Sequence, residues 1–222
     1  MKKISFILVL LIGLGAISYA QTVTIGTQVW MTKNLDVVTF RNGDSIPEAK
    51  TDEEWVKAGE NQQPAWCYYD NDPANGAKYG KLYNWYAVND SRGLAPAGWH
   101  VPSDAEWITL IYYLDPNAYG ILFDGEEGGS NTAGGKMKSS GTQYWVSPNL
   151  DATNESGFSG LPGGNRLSNG AFYGIGDGGI WWSSTEHDTT NAWFRALSYN
   201  HGYVFRSYSN EQIGVSVRCL RD

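Results

Sequence analysis

The chain has 222 residues, a net charge of −7 and many rings, 10 Trp, 14 Tyr and 7 Phe, against only 2 Cys and 3 His. An acidic chain without a basic stripe is a poor partner for nucleic acid or anionic lipid, because phosphate contacts need Lys and Arg. Two cysteines cannot build a thiolate zinc site alone, and no His spacing completes one.

The first twenty residues have the form of an export signal. Lys2 and Lys3 precede an apolar run from Ile4 to Ile17, and Ser18-Tyr19-Ala20 carries small residues where a signal peptidase reads. The run is short for a bilayer span, and no Cys follows it for lipid attachment. Cleavage before Gln21 leaves 14 basic against 23 acidic residues, a net charge of −9. The product, residues 21–222, has the length of one domain. It contains no second apolar span, so it is expected to be secreted, periplasmic or on the cell surface.

Val23, Ile25 and Val29 alternate with polar residues around Gly26-Thr27, which predicts a hairpin. Val37, Val38 and Phe40 form the next extended piece, ended by the turn Arg41-Asn42-Gly43-Asp44. Thr51 and Glu54 make a capping box for a short helix that stops at Gly59 and faces Trp55 and Val56 inward. Pro64 to Tyr69 is extended and Asp70 to Gly76 is a loop. Leu82, Tyr83, Tyr86 and Ala87 fall at helical spacing, so a helix is predicted over 79–89. Gly93 to Gly98 is a turn. Ser103 and Glu106 form a second capping box, before Trp107, Leu110, Ile111 and Leu114, and Pro116 ends that helix. Asp124 to Ser140 is predicted to be a Gly-rich surface loop. From Phe158 onward, short aromatic runs between Gly, Asn and Ser turns predict antiparallel strands. In the last strand Ile213, Val215, Val217 and Cys219 share a buried face, and Gly214, Ser216 and Arg218 share the other.

Export to an oxidising compartment makes a Cys67–Cys219 disulfide the expectation over two buried free thiols. It would close a loop of about 150 residues, worth roughly 5 kcal/mol as an upper figure.

The blocks VTIGTQVWMTKNL, GKLYNWYAV, GWHVPSDAEW, GFSGLPGGNR, WWSSTE with NAWFR, and GVSVRCLRD together resemble the Fibrobacter succinogenes major paralogous domain over nearly the whole exported chain. The resemblance implies an α+β, C-type-lectin-like fold, with two helices around a twisted antiparallel sheet and long irregular loops carrying the binding face. It implies little about activity. HVPSDAEW and VSVRC are also distantly similar to the formylglycine-generating enzymes. Those use a pair of copper-binding cysteines, and Asn191 to Tyr203, the corresponding stretch, contains no cysteine. Their oxidase activity is therefore not carried over, and likeness of fold is a weak warrant for function.

Candidate chemistry is sparse. Asp124, Glu126 and Glu127 form an acidic cluster, either a carboxylate site or a solvated loop, with nothing to fix their separation. Asp70, Asp72 and Asn75 before Gly76 approximate a calcium loop but lack its distal Glu, and an Asx-rich turn competes with that reading. No cofactor is expected; calcium is the metal to test first, since the resemblance is to lectin-like folds, which often hold it, although the Glu-Pro-Asn triplet of sugar-binding lectins is not apparent. Gly157-Phe158-Ser159-Gly160-Leu161 departs from a nucleophile elbow at its last position. His100, His187 and His201 form no triad pattern. Ser130 to Met137 departs from a phosphate loop at both ends. Of Trp181 and Trp182, one is expected in the core and the other at a surface, unless both are buried.

The strongest candidate is the segment 194–210. Tyr199, Asn200, His201, Tyr203, Phe205, Tyr208 and Asn210, with Trp182 and Arg195, combine rigid ring area with adaptable hydrogen bonding, as paratopes do. An aromatic hairpin that merely packs is the competing reading. The sequence therefore points to a non-enzymatic recognition module for a glycan or an extracellular protein. Its rivals are an adhesin with a variable surface and a carbohydrate-active or metal-dependent enzyme.

Overall fold

Alternation on either side of Gly26 produces the first hairpin. β1 (Thr22–Ile25) and β2 (Gln28–Met31) pair antiparallel with Ile25 opposite Gln28. Gly26 turns between them at φ +61°, a region L side chains rarely adopt. The structure, a computed structural model, describes residues 21–118 and 128–222; the expected export signal and the trio Asp124, Glu126 and Glu127 lie outside the described residues.

Thr51 accepts from the Glu54 amide and the Glu54 carboxylate reaches back to the Thr51 amide, so α1 (Asp52–Glu60) starts at its capping box. Trp55 is buried beneath it, and Val56 is only half-buried. β3 (Trp66–Cys67) pairs with β4 (Leu82–Tyr83). Between them the expected loop is instead a 3-10 turn at Tyr69–Asn71 followed by α2 (Pro73–Tyr79). Asp72 caps α2 by accepting from the Ala74 amide at 2.8 Å, and Pro73 takes the first helical position.

The helix predicted over 79–89 shrinks to α3 (Trp85–Val88). Leu82 and Tyr83 enter the ladder with β3, and the Asn84 carbonyl oxygen Oδ1 accepts from the Ala87 amide at 3.2 Å to start a new turn. Leu82, Tyr83, Trp85, Ala87 and Val88 are all buried. Burial on every side produces apolar spacing without a helix. After β5 (Trp99–His100), α4 (Asp104–Leu114) begins at the Ser103–Glu106 capping box as predicted.

The Gly-rich loop predicted over 124–140 holds β6 (Gly128–Ser130) and α5 (Ala133–Met137) among its described residues. Its glycines serve close approach. A Cβ on Gly134 would stand 2.1 Å from the Tyr203 carbonyl oxygen, so only Gly fits there. The strand region then follows as expected: β7 (Gly163–Arg166), β8 (Phe172–Ile175), β9 (Gly178–Glu186), β10 (Asn191–Ser198), β11 (Val204–Asn210) and β12 (Leu220–Arg221).

The sheets are ordered β1-β2-β12-β5 and β6-β11-β10-β9, with two-stranded ribbons β3-β4 and β7-β8. Every ladder is antiparallel. The fold is α+β. Trp181 and Trp182, neighbours on β9, are both fully buried but in different cores. Trp182 joins Trp66, Tyr83, Trp85, Val215 and Val217, while Trp181 joins Trp30, Trp107, Leu110, Phe158 and Leu197. Burying such a ring contributes about 1.5–3 kcal/mol.

The closing segment differs from the one-sided strand predicted. Val215 bridges Tyr83, Ser216 bridges Trp181, and only β12 joins a ladder. Ser216 and Arg218 are as buried as Val215 and Val217. The polar side is held by protein groups: the Arg218 guanidinium donates to Asn34 Oδ1 at 2.7 Å, Met31 O at 3.1 Å and Phe158 O at 2.6 Å.

The expected disulfide is replaced by two free thiols. Cys67 packs with Trp55, Ala65 and Leu82, and Cys219 packs in the separate cluster around Tyr83 and Val217. Burial pushes each thiol up to about 12, so neither is a ready nucleophile.

Candidate functional site

β10 and β11 pair with Trp193 opposite Tyr208, Arg195 opposite Arg206 and Ala196 opposite Phe205. Side chains alternate between faces, and the inner face is tied to α4. Asp104, its first residue, accepts from Arg195 Nη2 at 2.8 Å and from Arg206 Nη2 at 3.0 Å. Arg206 also lies 3.6 Å over the Trp193 ring. Burial lowers the Arg195 pKa to about 10, against the opposing pull of Asp104.

Two expected ligand contacts are therefore core residues. Arg195 is fully buried on its carboxylate. Trp182 is fully buried, donating from Nε1 to Tyr83 O at 2.9 Å under Phe194. Neither can touch a ligand without opening the core.

The outer face brings three rings together. Tyr203 and Phe205 are each 41 % exposed, and His201 stands 4.8 Å from Tyr203 and 5.2 Å from Phe205 between ring centroids. Asn200 is exposed beside them, its Oδ1 accepting from Ser198 Oγ at 2.9 Å. Tyr199 packs half-buried against the second core.

Tyr208 belongs elsewhere. Within β11 it stands three positions after Phe205, an odd step, so the strand turns it to the face opposite Phe205. It stacks on His187 at 3.8 Å with an interplanar angle of 8° and meets Trp193 edge-on. Asn210 ends the strand, where its Oδ1 accepts from the Gln212 amide at 2.8 Å. The structure thus unites His201, Tyr203, Phe205 and Asn200, and separates Tyr208 and Asn210 from them.

Lys138, which sequence reasoning missed, fixes the rim of this patch. Its ammonium is fully buried and donates to Leu150 O at 2.7 Å, Ser198 O at 2.9 Å and His201 O at 2.9 Å. Burial lowers its pKa to about 8. Burial and the Lys138 charge also lower the pKa of His201. Nothing local marks Lys138, because its acceptors lie 12 to 63 residues away.

The remaining candidates are engaged with groups of the chain itself. Asn75 Nδ2 donates to Tyr69 O at 3.0 Å and Asp72 caps α2, while Asp70 sits exposed at φ 54°. Among the described residues no group of three or more His, Cys, Asp or Glu could hold a metal ion. Ser159 bonds to Asn154 and Gly157. His100 bridges Asp222 at 2.8 Å and Glu106 at 2.9 Å. Burial pulls the pKa of His100 down, but those carboxylates outweigh it and hold it above its ordinary value. Among the described residues no helix is long and apolar enough to cross a membrane.

The family model of the Fibrobacter succinogenes major domain matches residues 23–221. No curated protein and no solved structure matches the chain.

Proposed function

The chain belongs to the Fibrobacter succinogenes major domain family, and from that premise we propose that it is an exported recognition module of C-type-lectin-like fold that binds a glycan on the outer face of β10–β11. The observation that carries the reading is the contact cluster of His201, Tyr203 and Phe205, with Tyr203 and Phe205 open to solvent, at the start of a strand whose other face is anchored by buried charge.

Area favours a sugar over a protein partner. At 41 % exposure each, and with 150–250 Å² typical of a large aromatic side chain, Tyr203 and Phe205 together present roughly 160 Å². That matches the face of one or two sugar rings, whereas a stable protein interface needs about 800 Å² per partner. Ring faces accept axial C–H groups, and the Asn200 amide with neighbouring hydroxyls supplies polar partners.

The test is a glycan array with a companion protein array, each run with and without a calcium chelator. Tyr203→Ala with Phe205→Ala is expected to abolish glycan capture while the thermal midpoint stays within about 3 °C. Tyr208→Ala is expected to leave capture unchanged. Undiminished capture by the Tyr203/Phe205 variant, or capture of proteins alone, would overturn the glycan reading.

A further inference from the structure

A cavity of about 510 Å³ lies between the chain that follows β2, the C-terminal half of α2 and the segment 139–161, and it shares no residue with the hairpin patch. That volume lies within the range of small-molecule sites. The chain is acidic overall, yet this cavity is basic. Lys33 and Lys78 line it, both are exposed, and neither forms an ion pair among the described residues. Among the described residues the one carboxylate in the lining, Asp36, is paired with Lys81. α2 offers its carbonyl end here, worth at most about half a negative charge, which two full lysine charges outweigh.

The floor is built rather than accidental. Asn34 is buried, with Nδ2 donating to Tyr79 O at 2.8 Å and Oδ1 accepting from Trp181 Nε1 at 2.8 Å and Arg218 Nη2 at 2.7 Å. Arg218 is fully buried, and its bonds run to the neutral oxygens of Asn34, Met31 and Phe158. A guanidinium balanced by dipoles instead of a carboxylate leaves its positive field weakly screened. On the wall, Ser159 is held at φ +56° by Asn154, whose Oδ1 accepts from its amide at 2.9 Å and whose Nδ2 donates to its Oγ at 3.0 Å. A left-handed Ser needs such local bonds to persist. Tyr144 adds a ring braced edge-on against Tyr79 at 6.3 Å.

We propose that this cavity is a second binding site, for a small polyhydroxylated anion of the uronic-acid class. The carboxylate sits between Lys33 and Lys78, the sugar ring lies against Tyr144, and a ring hydroxyl meets Ser159. Lysine is a point charge that takes carboxylate or phosphate alike, so the charge source is settled by comparison. Calorimetric titration of the purified protein uses galacturonate, glucuronate, glucose and inorganic phosphate.

Saturable uronate binding is expected, with glucose and inorganic phosphate each weaker by about tenfold or more. Lys33→Gln and Lys78→Gln are each expected to weaken uronate binding by roughly five- to tenfold and to flatten its salt dependence. Both lysines are exposed, so an unchanged melting curve checks that the variants fold. The Tyr203/Phe205 variant is expected to keep uronate affinity, which separates this site from the hairpin. No saturable uronate binding up to about 20 mM, equal binding of phosphate, or full affinity in the Lys33/Lys78 double variant overturns the proposal.

Discussion

Asp104→Ala tests how the hairpin is held. The carboxylate serves two guanidiniums at once, Arg195 at 2.8 Å and Arg206 at 3.0 Å, and these are 0 % and 3 % exposed. Removing one partner of a buried ion pair costs about 3–5 kcal/mol, because the remaining charge has lost its water and its counter-charge. The loss of an acid from the first turn of α4 adds only about 0.3–1 kcal/mol, so the buried cations dominate. In a chain of this size each kcal/mol moves the melting point by about 2–4 °C, and the expected drop is roughly 6–20 °C.

Circular dichroism melts measure the drop, and amide exchange over residues 191–210 locates it. The large term comes from stranding charge, not from the pair as such. Replacing Asp104, Arg195 and Arg206 together by Leu, Met and Leu is therefore expected to recover most of the loss, as apolar replacements of buried ion pairs do. A melting point for Asp104→Ala within about 2 °C of the parent, with unaltered exchange in β10 and β11, would refute this account of the anchor.

Three more predictions follow from buried polar groups. Burial, with Glu186 and Asp188 nearby, raises the pKa of Glu211 from 4.5 to about 7. The folded state then binds the proton more tightly than the unfolded state, so stability falls as pH rises from about 4.5 to 7, by at most about 3 kcal/mol. Glu211→Gln should remove that slope in melts taken across the range; an unchanged slope counts against it. Lys138→Met should speed amide exchange of residues 198–203 by about tenfold or more while α4 is unaffected, since three carbonyls lose a charged donor. Equal rates would mean that the rim is held by other contacts. Thiol titration of unreduced protein should find no reactive thiol when native and two when denatured, as both cysteines are free and buried; zero thiols after denaturation would restore the disulfide.

The parts of the fold legible in the sequence were those whose cause is local. Each capping box needs only residues three apart, and Thr51–Glu54 and Ser103–Glu106 start α1 and α4 where the pattern places them. The first hairpin needs only alternation and a Gly. Local pattern failed at 79–89, where burial from all sides imitates helical spacing, and at Ser216 and Arg218, whose polarity is absorbed by Asn34 from 182 and 184 residues away.

The candidate site divides in the same way. Residue types alone group Phe205 with Tyr208, yet period-two geometry already parts them, since within β11 205 and 207 share one face and 204, 206 and 208 share the other. What parity cannot decide is which face the rest of the chain covers. That is set by Asp104, 91 residues before Arg195 and 102 before Arg206, and by the approach of α5 under the Gly202–Tyr203 backbone. The inner face is tied down by a distant partner, its two guanidiniums sharing the single Asp104 carboxylate, and among the described residues no element packs over Tyr203 and Phe205 closely enough to bury them. The recognition surface proposed above would tolerate changes at the outer positions while its anchors stay fixed, because Arg195 and Arg206 have their partner elsewhere in the chain and the outer rings touch one another.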